Sequence, residues 1–172
     1  MDRNMVDVKI KKLYDDVKLP KYQTSGSSGM DVHAYITKED YNKHLGALDS
    51  VRIKETPSFE DLFIKICPKS TVVIQTGLSF NIPEGYEIQV RSRSGMSIKG
   101  ITVANSPGTI DADFVGSVCI ILSNNSLYTY KVSQGDRIAQ LVLQEVPKMN
   151  LIEVDELEET ERGENGFGST GI

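Results

Sequence analysis

The chain has 172 residues, enough for one domain with a core of its own. A net charge of −5 argues against a general nucleic-acid binder, and no apolar run reaches the roughly 18 residues that span a bilayer. The opening MDRNMVDVKIKKLY spreads charge through every few residues and lacks an apolar signal segment. The expectation is therefore a cytoplasmic protein, or a nuclear one if the source is a eukaryote or a virus.

Along the chain the pattern is short, alternating and rich in β-branched residues, which predicts strands. Val6 to Lys11 alternates apolar with polar as a half-buried strand does. Thr37 to Glu60 then breaks the pattern: it is polar, could hold a short helix around Lys38 to Leu45, and is too short for a core of its own. Further strands are expected over Thr71 to Phe80, Tyr86 to Val90, Ile98 to Val103, Ser117 to Leu122 and Ile138 to Val146. Pro83-Glu84-Gly85, Pro107-Gly108, Asn124-Asn125 and Gln134-Gly135-Asp136 supply the turns. Many short strands with such turns point to an all-β barrel or sandwich. Cys67 and Cys119 sit in the apolar runs FIKIC and VCIIL and are expected as reduced core residues. Two histidines and no CxxC pair leave few ligands for zinc. After Val154 the chain is acidic and glycine-punctuated, and we expect residues 157–172 to form a flexible tail on a domain of residues 1–156.

Five clusters join glycine to groups able to handle phosphate, a metal or a base. Asp31, in SSGMD, reads as a turn residue or as a hard oxygen ligand for magnesium. Arg91-Ser92-Arg93-Ser94-Gly95 is either a solvated face or an anion cradle of guanidinium, hydroxyl and backbone N–H. Asn105 to Phe114, NSPGTIDADF, is a hairpin whose backbone could pair with a planar base, and Asn105 adds an amide. Asp111 follows directly, placed to hold and deprotonate a water unless it is merely solvated. Gln140, polar inside the apolar strand of GDRIAQL, must find a partner, either an internal one or a phosphate or metal-bound water. The last cluster, Arg162 to Gly171, reads RGENGFGSTG. Its arginine and phenylalanine are unexpected in a frayed end.

In order and company these clusters resemble the five motifs of the trimeric deoxyuridine triphosphatases (dUTPases), over essentially the whole chain. The resemblance implies an all-β, jelly-roll-like β-barrel fold, a homotrimer with shared active sites, and hydrolysis of dUTP to dUMP and pyrophosphate with Mg2+. That reaction keeps uracil out of DNA and supplies dUMP for dTTP synthesis. By position, Asp111 is implied to activate the attacking water, and Asn105 with Gly108, Thr109 and Ile110 to read uracil. Phe114 is implied to lie against the deoxyribose. Arg93, Ser94, Gly95 and Gln140 are implied to contact phosphates, and Asp31 to help position the hydrated metal. In the tail, Arg162 is implied to meet the terminal phosphate, Phe167 to stack on uracil, and Gly168, Ser169 and Thr170 to wrap the phosphates as a lid. The chain departs from the family's usual residues at Met30 (often aromatic), Ser92 (commonly proline), Phe114 (more often tyrosine) and Cys119 (often basic). Residues 37–60 have no counterpart in shorter members and are a candidate contact for a protein partner. The nearest rival enzyme is a dCTP deaminase, which lacks the hairpin with Asp111 and the GFGSTG lid. A regulatory binding protein on the same scaffold is the rival from another class.

Overall fold

A computed structural model describes residues 5–48 and 58–166. Eleven strands occur among them: β1 (Lys9–Lys12), β2 (Met30–His33), β3 (Phe63–Ile66), β4 (Thr71–Gln75), β5 (Leu78–Asn81), β6 (Tyr86–Arg91), β7 (Ile101–Val103), β8 (Gly108–Ile110), β9 (Cys119–Asn124), β10 (Tyr130–Ser133) and β11 (Arg137–Glu145). The helical elements are α1 (Lys38–Leu48), a short 3-10 turn at Phe59–Asp61, and α2 (Ser94–Ser97). Every strand pair is antiparallel, as expected where short turns join strands that need only one buried face.

The largest sheet runs β2-β11-β6-β8, a second runs β4-β9-β7, and β1-β5 and β10-β3 form two-stranded ladders. The fold is mostly β and jelly-roll-like, and among the described residues its ladders are four separate sheets. Inward positions of these sheets supply one core, in which Val32, Ile36, Leu62, Ile66, Leu78, Ile101 and Val132 are fully buried. At roughly 25 cal/mol per Å² of apolar surface, such residues provide the main drive to fold.

Local chemistry explains where the alternation failed to predict element ends. The run expected from Thr71 to Phe80 divides into β4 and β5 because Gly77 adopts φ +69°, a conformation that turns the chain between them. Gly100, at φ +80°, likewise shortens the strand expected from Ile98 and starts it at Ile101. Strands β2, β3, β8 and β10 lie beyond the sequence expectation. Each has only three or four residues, too few for alternation to show.

One side chain expected in a turn is instead a core staple. Asn124 is fully buried, donates to the carbonyls of Ile66 and Tyr128 at 2.8 Å each, and accepts from the N–H and hydroxyl of Ser126. The cysteine expectation holds in part: both thiols are free, but Cys119 is exposed and Cys67 half-buried. The period of two decides this, since Ile120 and Leu122 take the inner face of β9 and Cys119 falls on the outer one.

The helix expected around Lys38 to Leu45 is present as α1 and extends to Leu48. Its start is a capping box: the Asp40 N–H donates to Thr37 Oγ1 at 3.0 Å while the Thr37 N–H donates back to Asp40 Oδ2 at 3.0 Å. Tyr41 is buried and meets the Phe63 ring edge-on at 5.5 Å, so the root of this excursion is packed on the sheet. Residues 49–57 of the excursion lie outside the described residues.

Candidate active site

The strand register gathers charge at one end of β6. On β2, Asp31 stands opposite Gln140 of β11, which in turn stands opposite Arg91 of β6. Arg93, two residues past Arg91, donates from Nε to Asp31 Oδ1 at 2.7 Å, and Arg137 donates from a terminal nitrogen to Asp31 Oδ2 at 3.1 Å. Arg93 also donates to the Arg137 carbonyl at 3.2 Å. Asp31 is thus held between two guanidinium groups and fixes them. Arg93 leads into α2, where Ser94 and Gly95 are exposed.

Arg93, Gly95, Lys99, Tyr130, Asp136 and Arg137 line a cavity of about 340 Å³. Three cations against one carboxylate make it suited to an anion with several oxygens. Lys99 lies 6.0 Å from the centre of the Tyr130 ring. Burial, then Asp136, raises the Tyr130 phenol above its ordinary value, so it enters this cavity as a neutral donor. Lys99 and Arg137 were not singled out in the sequence. For Arg137 a signal existed, an arginine directly after Gly135-Asp136 at the start of a strand, but its partner lies 106 residues away.

Gln140 takes the internal option here, donating to the Ser92 carbonyl at 3.1 Å. Gly29 explains how close it comes: a Cβ at Gly29 would stand 2.8 Å from Gln140 Oε1 and 3.3 Å from the Leu141 carbonyl oxygen.

The turn around Asn105 to Pro107 joins β7 of the three-stranded sheet to β8 of the four-stranded one, so the expected hairpin is a crossing between sheets whose two strands do not pair, and β8 is an edge strand. One side of β8 pairs with β6, and the other faces no strand among the described residues, leaving its backbone for a planar hydrogen-bonding ligand. The Asn105 amide sits on Gly108, where a Cβ would stand 3.1 Å from Nδ2. Asp111 follows β8 and is exposed. The Phe114 N–H donates to the Asp111 carbonyl at 3.1 Å, closing a turn directly after the acid. The ring folds over Gly116, where a Cβ would stand 2.8 Å from the ring tip.

Asp111 lines a second cleft, of about 590 Å³, together with Asp113, Glu84, Glu87 and Lys148. Ile110 is paired with Ile88, so Asp111 lies at the Glu87 end of β6, six residues from Arg93. At about 3.3 Å per residue the two positions are roughly 20 Å apart. Asp111 and Arg93 therefore stand toward opposite ends of β6 in one chain.

Among the tail residues, Arg162 is exposed and donates to the Asn165 carbonyl at 3.1 Å. Phe167, Gly168, Ser169 and Thr170 lie outside the described residues. Among the described residues no group of three or more His, Cys, Asp or Glu side chains could hold a metal. No helix among them is long and apolar enough to cross a membrane.

The family described as dUTPase matches residues 58–171 of this chain. The chain belongs to the dUTPase family. The deoxyuridine 5'-triphosphate nucleotidohydrolase of Fusobacterium nucleatum is 42% identical over 169 residues, 97% of this chain and 99% of that protein. That of Helicobacter pylori (strain Shi470) is 40% identical over 166 residues, 96% of this chain and 97% of that protein. Among solved structures, the Staphylococcus bacteriophage 80alpha dUTPase with dUPNHPP superposes with a TM-score of 0.75 at 25% identity, covering 98% of this chain and all of that one. The edge of β8 and Asp111 lie toward one end of β6, and the cationic cavity lies toward the other, where β10 also lines it.

Proposed function

We propose that this protein hydrolyses dUTP to dUMP and pyrophosphate, with uracil on the β8 edge and water activated at Asp111. The observation that carries the reading is the open edge of β8 with Asp111 one residue beyond it. Backbone groups of Gly108 to Ile110 and the Asn105 amide match the hydrogen-bonding edge of uracil, and a cytosine edge would leave some of them unpaired. Phe114, in the turn after Asp111, gives the deoxyribose an apolar wall where a 2′-hydroxyl would find no partner. Asp111 holds a water in line with the α-phosphorus and takes its proton as the new P–O bond forms. The bond to the bridging oxygen breaks, and pyrophosphate leaves with the electron pair.

The triphosphate cannot be neutralised by the cleft around Asp111, whose charged lining is four carboxylates against one lysine. The cationic cavity at Arg93 is the matching half, and it lies at the far end of β6. This separation supports a homotrimer in which the hairpin and Asp111 of one subunit face Arg93, Ser94, Gly95 and Gln140 of the next. Open apolar surface supports the assembly. Val8, Ile10, Leu19, Met30 and Leu143 line a groove of about 650 Å³, and Met149, Leu151, Ile152 and Val154 stand exposed after β11. The tail then closes as a lid, with Arg162 at the terminal phosphate, Phe167 over uracil, and Gly168, Ser169 and Thr170 along the phosphates.

The donor set fits a hydrated magnesium ion. Asp31 would offer outer-sphere contact through water, and phosphate oxygens would serve as ligands. When bound, the metal neutralises triphosphate charge. The anchored root of the excursion, with its capping box and buried Tyr41, suits a protein-binding element carried on the trimer surface. Deleting residues 38–58 and repeating a pull-down tests that role, and an unchanged partner list would remove it.

The activity is tested by following pyrophosphate release from dUTP with magnesium, beside dCTP, dTTP and UTP. Turnover of dUTP alone is expected. Ammonia release from dCTP would instead make the protein a deaminase.

A further inference from the structure

Ser92 has been given no role in binding or chemistry so far, yet it bonds in three directions. Its carbonyl accepts from Gln140 on β11. Its Oγ accepts the Val103 N–H at 2.8 Å, across 11 residues of sequence. Its peptide continues into Arg93, which is pinned to Asp31. Val103 ends β7, the edge strand of the three-stranded sheet, and leads two residues later to Asn105 at the hairpin. The outer edge of β7 thus meets the end of β6 through a serine hydroxyl, where a further strand would otherwise have supplied an acceptor.

We propose that Ser92 is a positioning residue that makes the phosphate-binding turn Arg93–Gly95 and the uracil-reading hairpin of the same chain move as one body. Because the hairpin and Asp111 serve one site while Arg93 serves another, this bond links two active sites of the trimer. The inference rests on the trimeric dUTPase reading. The Val103 N–H is buried at a residue only 3% exposed, so opening the bond leaves an unpaired donor and is unfavourable. A ligand that fixes the turn therefore holds Ser92, and Ser92 holds Val103. In the other direction, a base seated on the hairpin steadies the turn that the neighbouring site uses, and linkage makes the two effects equal.

The test is amide hydrogen exchange on the intact protein with inorganic pyrophosphate and magnesium as the probe, which engages the turn and not the hairpin. Exchange is expected to slow across Arg93–Ser97 and, by roughly fivefold or more, at Val103. Slowing at Arg93–Ser97 with Val103 unmoved overturns the coupling while leaving the phosphate site intact. No slowing in either segment overturns both. In Ser92→Ala the response at Val103 is expected to vanish while that of the turn persists, and Ser92→Thr is expected to restore it. With dUTP as substrate, Ser92→Ala should raise KM about tenfold with kcat within about twofold, and Ser92→Thr should bring KM back. A fall in melting temperature with KM unchanged would reduce Ser92 to a fold staple and overturn the proposal.

Discussion

The two ends of β6 are built on opposite plans. At the Arg91 end, Arg93, Asp31, Arg137, Gln140 and Ser92 are bonded to one another, and the cavity beside them is cationic. At the Tyr86 end, Asp111 is exposed and the cleft around it is acidic. On the proposed reading, the first end is the phosphate-binding half. The other presents a base and an acid that need cations from elsewhere. A binding half can be organised within one fold, whereas a carboxylate that must approach a phosphorus gains from positive charge brought in only when the site assembles.

The largest effect that would break this contrast is at Asp111. Asp111→Asn is expected to cut dUTP turnover by about 10²–10⁴-fold while leaving nucleotide affinity near that of the unmodified protein. A comparable loss of affinity, measured by calorimetry with a non-hydrolysable analogue, would make Asp111 part of the binding half instead. At the other end, Asp31→Asn frees Arg93 and Arg137 from their shared carboxylate. It is expected to raise KM by about 10- to 100-fold with a smaller change in kcat, since two charge-assisted bonds orient the phosphate groups. Steady-state kinetics in which kcat alone fell would contradict that division.

A smaller effect is expected at the hairpin. Gly108→Ala puts a methyl group 3.1 Å from the Asn105 amide nitrogen and 3.2 Å from Val90 Cβ. Displacing the amide should cost about tenfold in kcat/KM and narrow the preference for dUTP over dCTP. An unchanged preference would mean that Asn105 does not read the base.

The smallest effect concerns pH. Burial, then Lys18, holds the His33 imidazole below its ordinary value; Arg137 and Arg93 add to this and Asp31 opposes it. Its Nδ1 is buried without a hydrogen-bond partner. Because the folded state disfavours the proton, the unfolded chain takes it up first as pH falls below about 6.5. The stability contributed by neutral His33 is then present above that pH and lost below it. Between pH 7.5 and 5.5 the unmodified protein should lose a few degrees more in melting temperature than His33→Gln. Parallel melting curves would remove the effect.

The sequence carried the kinds of residue at the site more fully than their partners. Asn105, Asp111, Arg93 and Gln140 announce themselves because polar groups beside glycine in an apolar, alternating chain need a reason to be there. That Asp31 would lie between Arg93 and Arg137 depends on the β2-β11-β6 register, which pairs segments more than 60 and 100 residues apart. From the sequence Ser92 was one residue of a possible anion cradle and a departure from the family's usual proline, and only the edge of β7 gives its hydroxyl a structural purpose. The long strands β6, β9 and β11 were legible from alternation, as was α1 from the polar break in that alternation. Three- and four-residue strands such as β8 and β2 were not, since tertiary pairing rather than local propensity makes them.

The claim that the two ends of β6 serve different active sites is tested most directly by mixing inactive chains. Asp111→Asn and Arg93→Ala variants would be unfolded together, refolded as a mixture, and assayed for pyrophosphate release from dUTP. Each homotrimer lacks one half in all its sites, but a mixed trimer joins an intact Asp111 from one chain to an intact Arg93 from its neighbour. The account predicts that activity returns in the mixture and in neither variant alone. A mixture as inactive as its components would show that Asp111 and Arg93 must come from the same chain, and would contradict the account.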